Sequence, residues 1–188
     1  MFNHFERYLK FPICTFDAKV GVLCPKCEER LRNGEITEAD VKVSFILAKL
    51  ANQLPALDKL TLKRAYKVGD DYVLLFNQGE AKIVLSNKQI ITKLREALGN
   101  VWITEQTSDT RQFLENLMYP IRLLTINIVW LPDGSRHIKA IIAGQETYNL
   151  PVDLNKVKEI TKIITGDEIV FEFEKGRFTK KSSVARAR

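Results

Sequence analysis

Apolar and polar positions alternate along the chain in two successive programmes of helix and strand. In the first, Thr37 and Asp40 read as a capping box, with Asp in place of the usual Glu, and Ile36 and Val41 stand where a hydrophobic staple would close. A helix is expected from about Glu38, with Val41, Phe45, Leu47, Ala48, Leu50 and Leu54 mainly on one side and Pro55 at its exit. Two strand-like runs follow, "KLTLKRAYKV" and "YVLLFN", and Gly69-Asp70-Asp71 between them suits an antiparallel hairpin. The stretch "GEAKIVLSNKQIITKLREALG" then reads as a short helical turn, a junction near Ser86 and Asn87, and a longer helix stopped by Gly99. "VWITEQT" supplies a third strand.

The second programme opens with "SDTRQFLENLMYP", a helix capped by Ser108 with Phe113, Leu114, Leu117 and Met118 on one face. Pro132-Asp133-Gly134 divides two β-branched runs into a further hairpin. Asp153 can cap "LNKVKEITKIIT", Val152 and Val157 can form its staple, Gly166 ends it, and "EIVFEFE" closes the module as a strand. The fold class expected is α+β, in two modules of similar size.

Composition narrows the function. With 188 residues, 45% of them hydrophobic and 28% charged, the chain can bury a core and stay soluble. No apolar run approaches the roughly 20 residues needed to cross a bilayer, and "MFNHFERYLKF" lacks a signal peptide's apolar centre, so a cytoplasmic protein is expected. The formal net charge of +6 is carried wholly by Lys175, Arg177, Lys180, Lys181, Arg186 and Arg188, which leaves residues 1–174 formally neutral. A neutral body with a cationic tail fits a polyanion partner, and equally a solvated tail.

All three cysteines lie in "ICTFDAKVGVLCPKC". In a reducing compartment such a cluster binds metal or stays reduced more often than it forms a disulfide. Cys14, Cys24 and Cys27 offer three of the four ligands that structural zinc takes, and Asp17 stands where a four-cysteine knuckle would place its second ligand. His4 is the other candidate for the fourth position. A metal-free turn with small buried thiols is the competing reading. A thioredoxin-type pair fits worst, because the parallel α/β unit it needs is missing.

The order of the first module resembles the bacterial-type (type II) KH domain. The stretch "PICTFDAKVGVLCPKCEERLRNGEIT" ahead of it is similar to the archaeal NusA-like KH-domain proteins. The resemblance implies a zinc-knuckle-like segment over 1–35, a type II KH domain over 36–107 and a second KH-like α/β module over 108–174, and the run of cations is read as a flexible basic tail over 175–188. The resemblance further implies RNA binding in transcription elongation or termination, or in translation, with RNA polymerase or the ribosome as partner, and no enzymatic activity. One departure stands out. A KH domain clamps nucleotides with a Gly-x-x-Gly loop between two helices, because glycines let the backbone approach phosphate. Here Leu85, Ser86, Asn87 and Lys88 fill that junction, so a degenerate KH domain is expected, in which Ser86 and Asn87 cap a helix and Lys88 meets phosphate. In the second module Gly144-Gln145-Glu146 is an isolated glycine followed by an acid.

Catalysis has little to work with. The two histidines, His4 and His137, are far apart, and no zinc-protease, phosphate-loop or nucleophile-elbow motif occurs. Asp70-Asp71 and Asp167-Glu168 read as solvated turn residues. Trp102, Trp130, Tyr66, Tyr72, Phe76 and Phe171 fall on strands, where core packing competes with base stacking. Arg64, Lys67, Arg122, Arg136 and Lys139 on the same strands are candidate phosphate contacts. Zinc as cofactor and nascent or ribosomal RNA as partner are the expectations, with neither membrane nor small-molecule substrate, and a zinc-nucleated protein-interaction module without an RNA role is the further alternative.

Overall fold

The Thr37 hydroxyl accepts the Asp40 amide at 3.2 Å and the Asp40 carboxylate accepts the Thr37 amide at 2.8 Å, so the capping box is reciprocal and the helix starts at Glu38. The computed structural model describes residues 9–143 and 150–174. Helices α1 (Thr15–Val20) and α2 (Pro25–Arg32) precede α3 (Glu38–Ala51), and a 3-10 turn (Pro55–Leu57) leads into β1 (Leu62–Val68) and β2 (Asp71–Phe76). Helices α4 (Ala81–Ser86) and α5 (Lys88–Leu98) and strand β3 (Val101–Glu105) complete the first module. The second comprises α6 (Thr110–Leu117), β4 (Leu123–Trp130), β5 (Arg136–Ile142), α7 (Leu154–Thr165) and β6 (Glu168–Phe173). Among the described residues no helix is long and apolar enough to cross a membrane.

The fold is α+β, with two separate three-stranded sheets built alike. In each an antiparallel hairpin (β1–β2, β4–β5) is joined by a parallel third strand (β2–β3, β5–β6), in the order β1-β2-β3 and β4-β5-β6. Val68 pairs with Asp71, so the first hairpin turns on Gly69 and Asp70 alone, and Gly69 takes the φ of +60° that such a turn demands.

Every residue of β2 is buried. Tyr72, Leu74 and Phe76 enter a core with Val43, Leu47, Ile90 and Leu94, whereas Val73 and Leu75 enter another with Phe113, Leu114, Met118, Ile138, Val157 and Ile160. The first sheet is therefore covered on both faces, and the second module is its other cover. At about 1.5–3 kcal/mol for each fully buried aliphatic side chain, Val73 and Leu75 make the modules one packed body.

Several expectations change in detail. Asp109, one residue after Ser108, caps α6 by accepting the Arg111 and Gln112 amides, because its carboxylate also meets the positive end of the helix. Helix α1, inside the cysteine stretch, carries no apolar periodicity long enough to announce it. Asp71 and Asp167 are buried, not solvated: Asp71 accepts from Asn100 and Trp102, and Asp167 accepts a two-pronged bond from Arg136. Most strand aromatics do pack inward, with Trp130 the exception at 68% exposure.

Candidate metal centre and nucleic-acid surface

Two short helices converge on the cysteine cluster. Cys14 and Cys24 occupy the N-cap positions of α1 and α2 without capping through their side chains, which leaves both sulfurs available. Asp17 lies in the first turn of α1 and Cys27 in the first turn of α2. One ligand atom from each of the four lies within 4.8 Å of all the others. The Cys27 thiol lies 3.5 Å from the Cys14 sulfur, close to the roughly 3.8 Å that two sulfurs keep around one zinc at Zn–S of about 2.3 Å. Cys14, Asp17, Cys24 and Cys27 could therefore hold a metal ion. The alternative ligand His4 lies outside the described residues.

Burial grades the site from closed to open. Cys27 and Asp17 are buried, Cys24 is half-buried and Cys14 is exposed. Burial pushes the Cys27 thiol up, to about 12, and its hydrogen bond to Asp17 pushes the same way. Burial also raises the Asp17 carboxyl, but hydrogen bonds from the Cys27 thiol, the Cys24 amide and the Cys24 thiol outweigh it and hold Asp17 below its usual range. Asp17 thus stays an anion while Cys27 stays a thiol until a cation displaces its proton. The Cys24 amide donates to Asp17 Oδ2 at 3.1 Å and the Cys14 amide points at the Cys27 sulfur at 3.5 Å, contacts that would hold both groups in place for a shared ion. Ile13, Ala18, Cys27, Ile36 and Ala48 form a small separate core, so the cluster is seated on α3.

The residues expected to contact RNA fare differently. Ser86 ends α4 and Lys88 begins α5, so Asn87 alone forms the junction between them. Asn87 accepts the Gln89 and Ile90 amides with its side chain, so it is a helix cap, and the backbone nest of a Gly-x-x-Gly loop is not formed. Ser86 bonds back to the Ile83 carbonyl, and Lys88 is exposed. Lys175, Arg177, Lys180, Lys181, Arg186 and Arg188 lie outside the described residues, as does Gly144-Gln145-Glu146. Of the cations expected on strands, Arg64 pairs with Asp40, Arg136 with Asp167 and Lys139 with Glu172, whereas Lys67 is exposed on β1 and Arg122 is exposed one residue ahead of β4.

One feature is invisible in the sequence. A cleft of about 660 Å³ lies where the modules meet, lined on one side by Ile91, Arg95 and Trp102 and on the other by Asn116, Tyr119 and Lys156. Asp71 sits on its wall, 4% exposed, bound by Asn100 and Trp102 and 3.9 Å from Lys156. These groups come from segments far apart in the chain, so no spacing could reveal them.

No family model matches the chain, and no curated protein matches it. Among solved structures, one described as the crystal structure of APE1850 is similar over 68% of this chain and 96% of its own, at 18% identity and a TM-score of 0.49.

Proposed function

We propose that the chain is a non-enzymatic RNA-binding accessory protein of the gene-expression machinery, a NusA-like protein with a degenerate type II KH domain and a second KH-like module. The observation that carries this reading is the repeated order of helix, antiparallel hairpin, crossover and parallel third strand, which is the order of a type II KH domain and occurs in both halves. The cleft adds a surface suited to a single strand: Trp102 and Tyr119 offer aromatic area, and Arg95 and Lys156 offer positive charge. Because Asn87 closes the α4–α5 junction, side chains of the cleft replace backbone amides as the main contacts. Buried Asp40, Asp71, Glu105 and Asp167 are all engaged in structural hydrogen bonds, which favours a binding role over acid–base chemistry.

Zinc fits the cysteine site as a structural ion. Cys14, Asp17, Cys24 and Cys27 would supply the four ligands that structural zinc takes, and a bound ion would tie α1 to α2. The rival context is the ribosome, where a KH fold without its glycine loop works against folded RNA by shape. The one-residue junction at Asn87 favours it.

Sequencing of RNA cross-linked to the intact protein in its own cells separates the two contexts. Scattered nascent transcripts support the elongation role, and discrete ribosomal RNA helices support the ribosomal one. Recovery of no RNA above a mock purification overturns both.

A further inference from the structure

The sheet edges of this protein differ sharply in how they are protected. An unpaired edge strand exposes N–H and C=O groups to any other strand, and proteins guard such edges with charge, proline, bulges or cover. Strand β1 carries Lys63, Arg64 and Lys67. Strand β3 is tied to α6, where the Phe113 carbonyl accepts the Thr104 hydroxyl. Strand β6 carries Glu168 and Glu172. Strand β4, "LLTINIVW", carries no charge and no proline, and the next residue is Leu131.

Cover on β4 stops early. The Arg111 guanidinium donates to the Leu123 and Leu124 carbonyls at 3.4 and 3.3 Å, and the bulge in β4 lies at that same end, between Leu123 and Thr125. From Thr125 to Trp130 the strand pairs, among the described residues, with β5 alone. Four consecutive apolar residues follow into the turn, exposed by 42% at Ile128, 50% at Val129, 68% at Trp130 and 37% at Leu131.

We infer that β4 pairs antiparallel with β4 of a second copy of this chain, about a two-fold axis near Ile128, joining two three-stranded sheets into one of six strands. Charge selects this occupant. Self-pairing of β4 sets uncharged residues against uncharged residues, whereas the same two-fold pairing of β1 would bring its lysines and arginine together. The register is self-complementary, as a two-fold interface requires: with Ile128 on the axis, Ile126 faces the partner's Trp130 and Asn127 faces the partner's Val129. Ile128 and Trp130 share the face of Ile138 and Arg136, so each copy extends the other's apolar surface. Edge pairing of this length lies below the roughly 1,200–2,000 Å² of a standard interface, so dissociation in the micromolar range is expected.

Sedimentation equilibrium of the intact protein from roughly 1 to 100 µM, the span of a small interface, tests this. The mass is expected to rise from one chain toward two, Ile128→Lys and Val129→Lys are each expected to weaken the dimer at least about tenfold, and Ile128→Val to preserve it. Far-UV circular dichroism checks that the lysine variants fold. If they do not, concentration-dependent amide-exchange protection confined to 125–130 in the unaltered protein decides. A monomer throughout this range, a dimer that survives both lysine substitutions, or protection that does not change with concentration overturns the inference. A partner strand from a different protein would leave the purified chain monomeric and falls under the first of these.

Discussion

The two modules share one topology and bury it differently. In the first, β1 and β2 lie between α3, α4 and α5 on one face and the second module on the other, and Asp40, wholly buried, accepts bonds from Thr37, Arg64 and Ala65. In the second, one described helix, α7, stands where the first has two, and among the described residues the exposed large apolar side chains of the modules are Ile83 in the first against Tyr119, Ile128, Val129, Trp130, Leu131, Ile163 and Val170 in the second. The lesson is that topology fixes which strands pair, while the neighbours of each face decide whether a module acts as scaffold or as contact surface. The first module is the scaffold, flanked by the cysteine segment and by its structural twin.

The largest effect expected concerns the cysteine segment. Structural zinc contributes an apparent binding free energy of about 10–16 kcal/mol in small zinc peptides, so chelation or Cys27→Ser should expose the amides of residues 14–32 to fast exchange. Protection of β2 should persist, since its two cores exclude that segment. Loss of protection in β2 together with the cysteine segment would show the scaffold depends on metal.

Next comes Asp40→Ala. It leaves the Ala65 and Thr37 amides without their acceptor and Arg64 without its partner, and should cost about 3–5 kcal/mol in urea unfolding. The corresponding cap of the second module, Asp109→Ala, should cost only about 1 kcal/mol, because it ends exposed amides alone. Equal costs at the two positions would erase the distinction between scaffold and surface.

A smaller effect is a pH dependence in metal-free protein. An ordinary thiol titrates near 9.0, whereas burial and Asp17 push folded Cys27 up to about 12. The fold favours the protonated thiol, so this contribution is complete below about pH 9 and is lost as pH rises toward 12. Thiolate absorbance should show Cys27 titrating late, and Asp17→Asn should bring its titration earlier. Saturating zinc should remove the late step altogether.

Much of the fold was legible because capping and turn chemistry are local. Thr37 with Asp40, Asp153 as a cap, and Gly99 and Gly166 marked helix ends where the structure has them. The clustering of Cys14, Asp17, Cys24 and Cys27, which could hold a metal ion, was legible from spacing, since the four lie within fourteen positions of one another. Helix α1 was not, because six residues are too few for a period to show. Nor was the burial of Asp71, whose partners Asn100, Trp102 and Lys156 are brought together only by packing of the modules. Strand cations looked available for phosphate because sequence does not reveal their acidic partners, and Arg64, Arg136 and Lys139 turn out to be paired.

Salt-dependent affinity for a single-stranded oligonucleotide, measured by fluorescence anisotropy, addresses the central claim most directly. With about six contacts from the tail and about 0.7 per contact on single strands, log affinity should fall by roughly 4 per log unit of salt. Deleting residues 175–188 should flatten the slope, and Arg95→Ala in the cleft should reduce it by about 0.7 more. Absence of binding at low salt, or a slope unchanged by both alterations, would contradict the RNA-binding account.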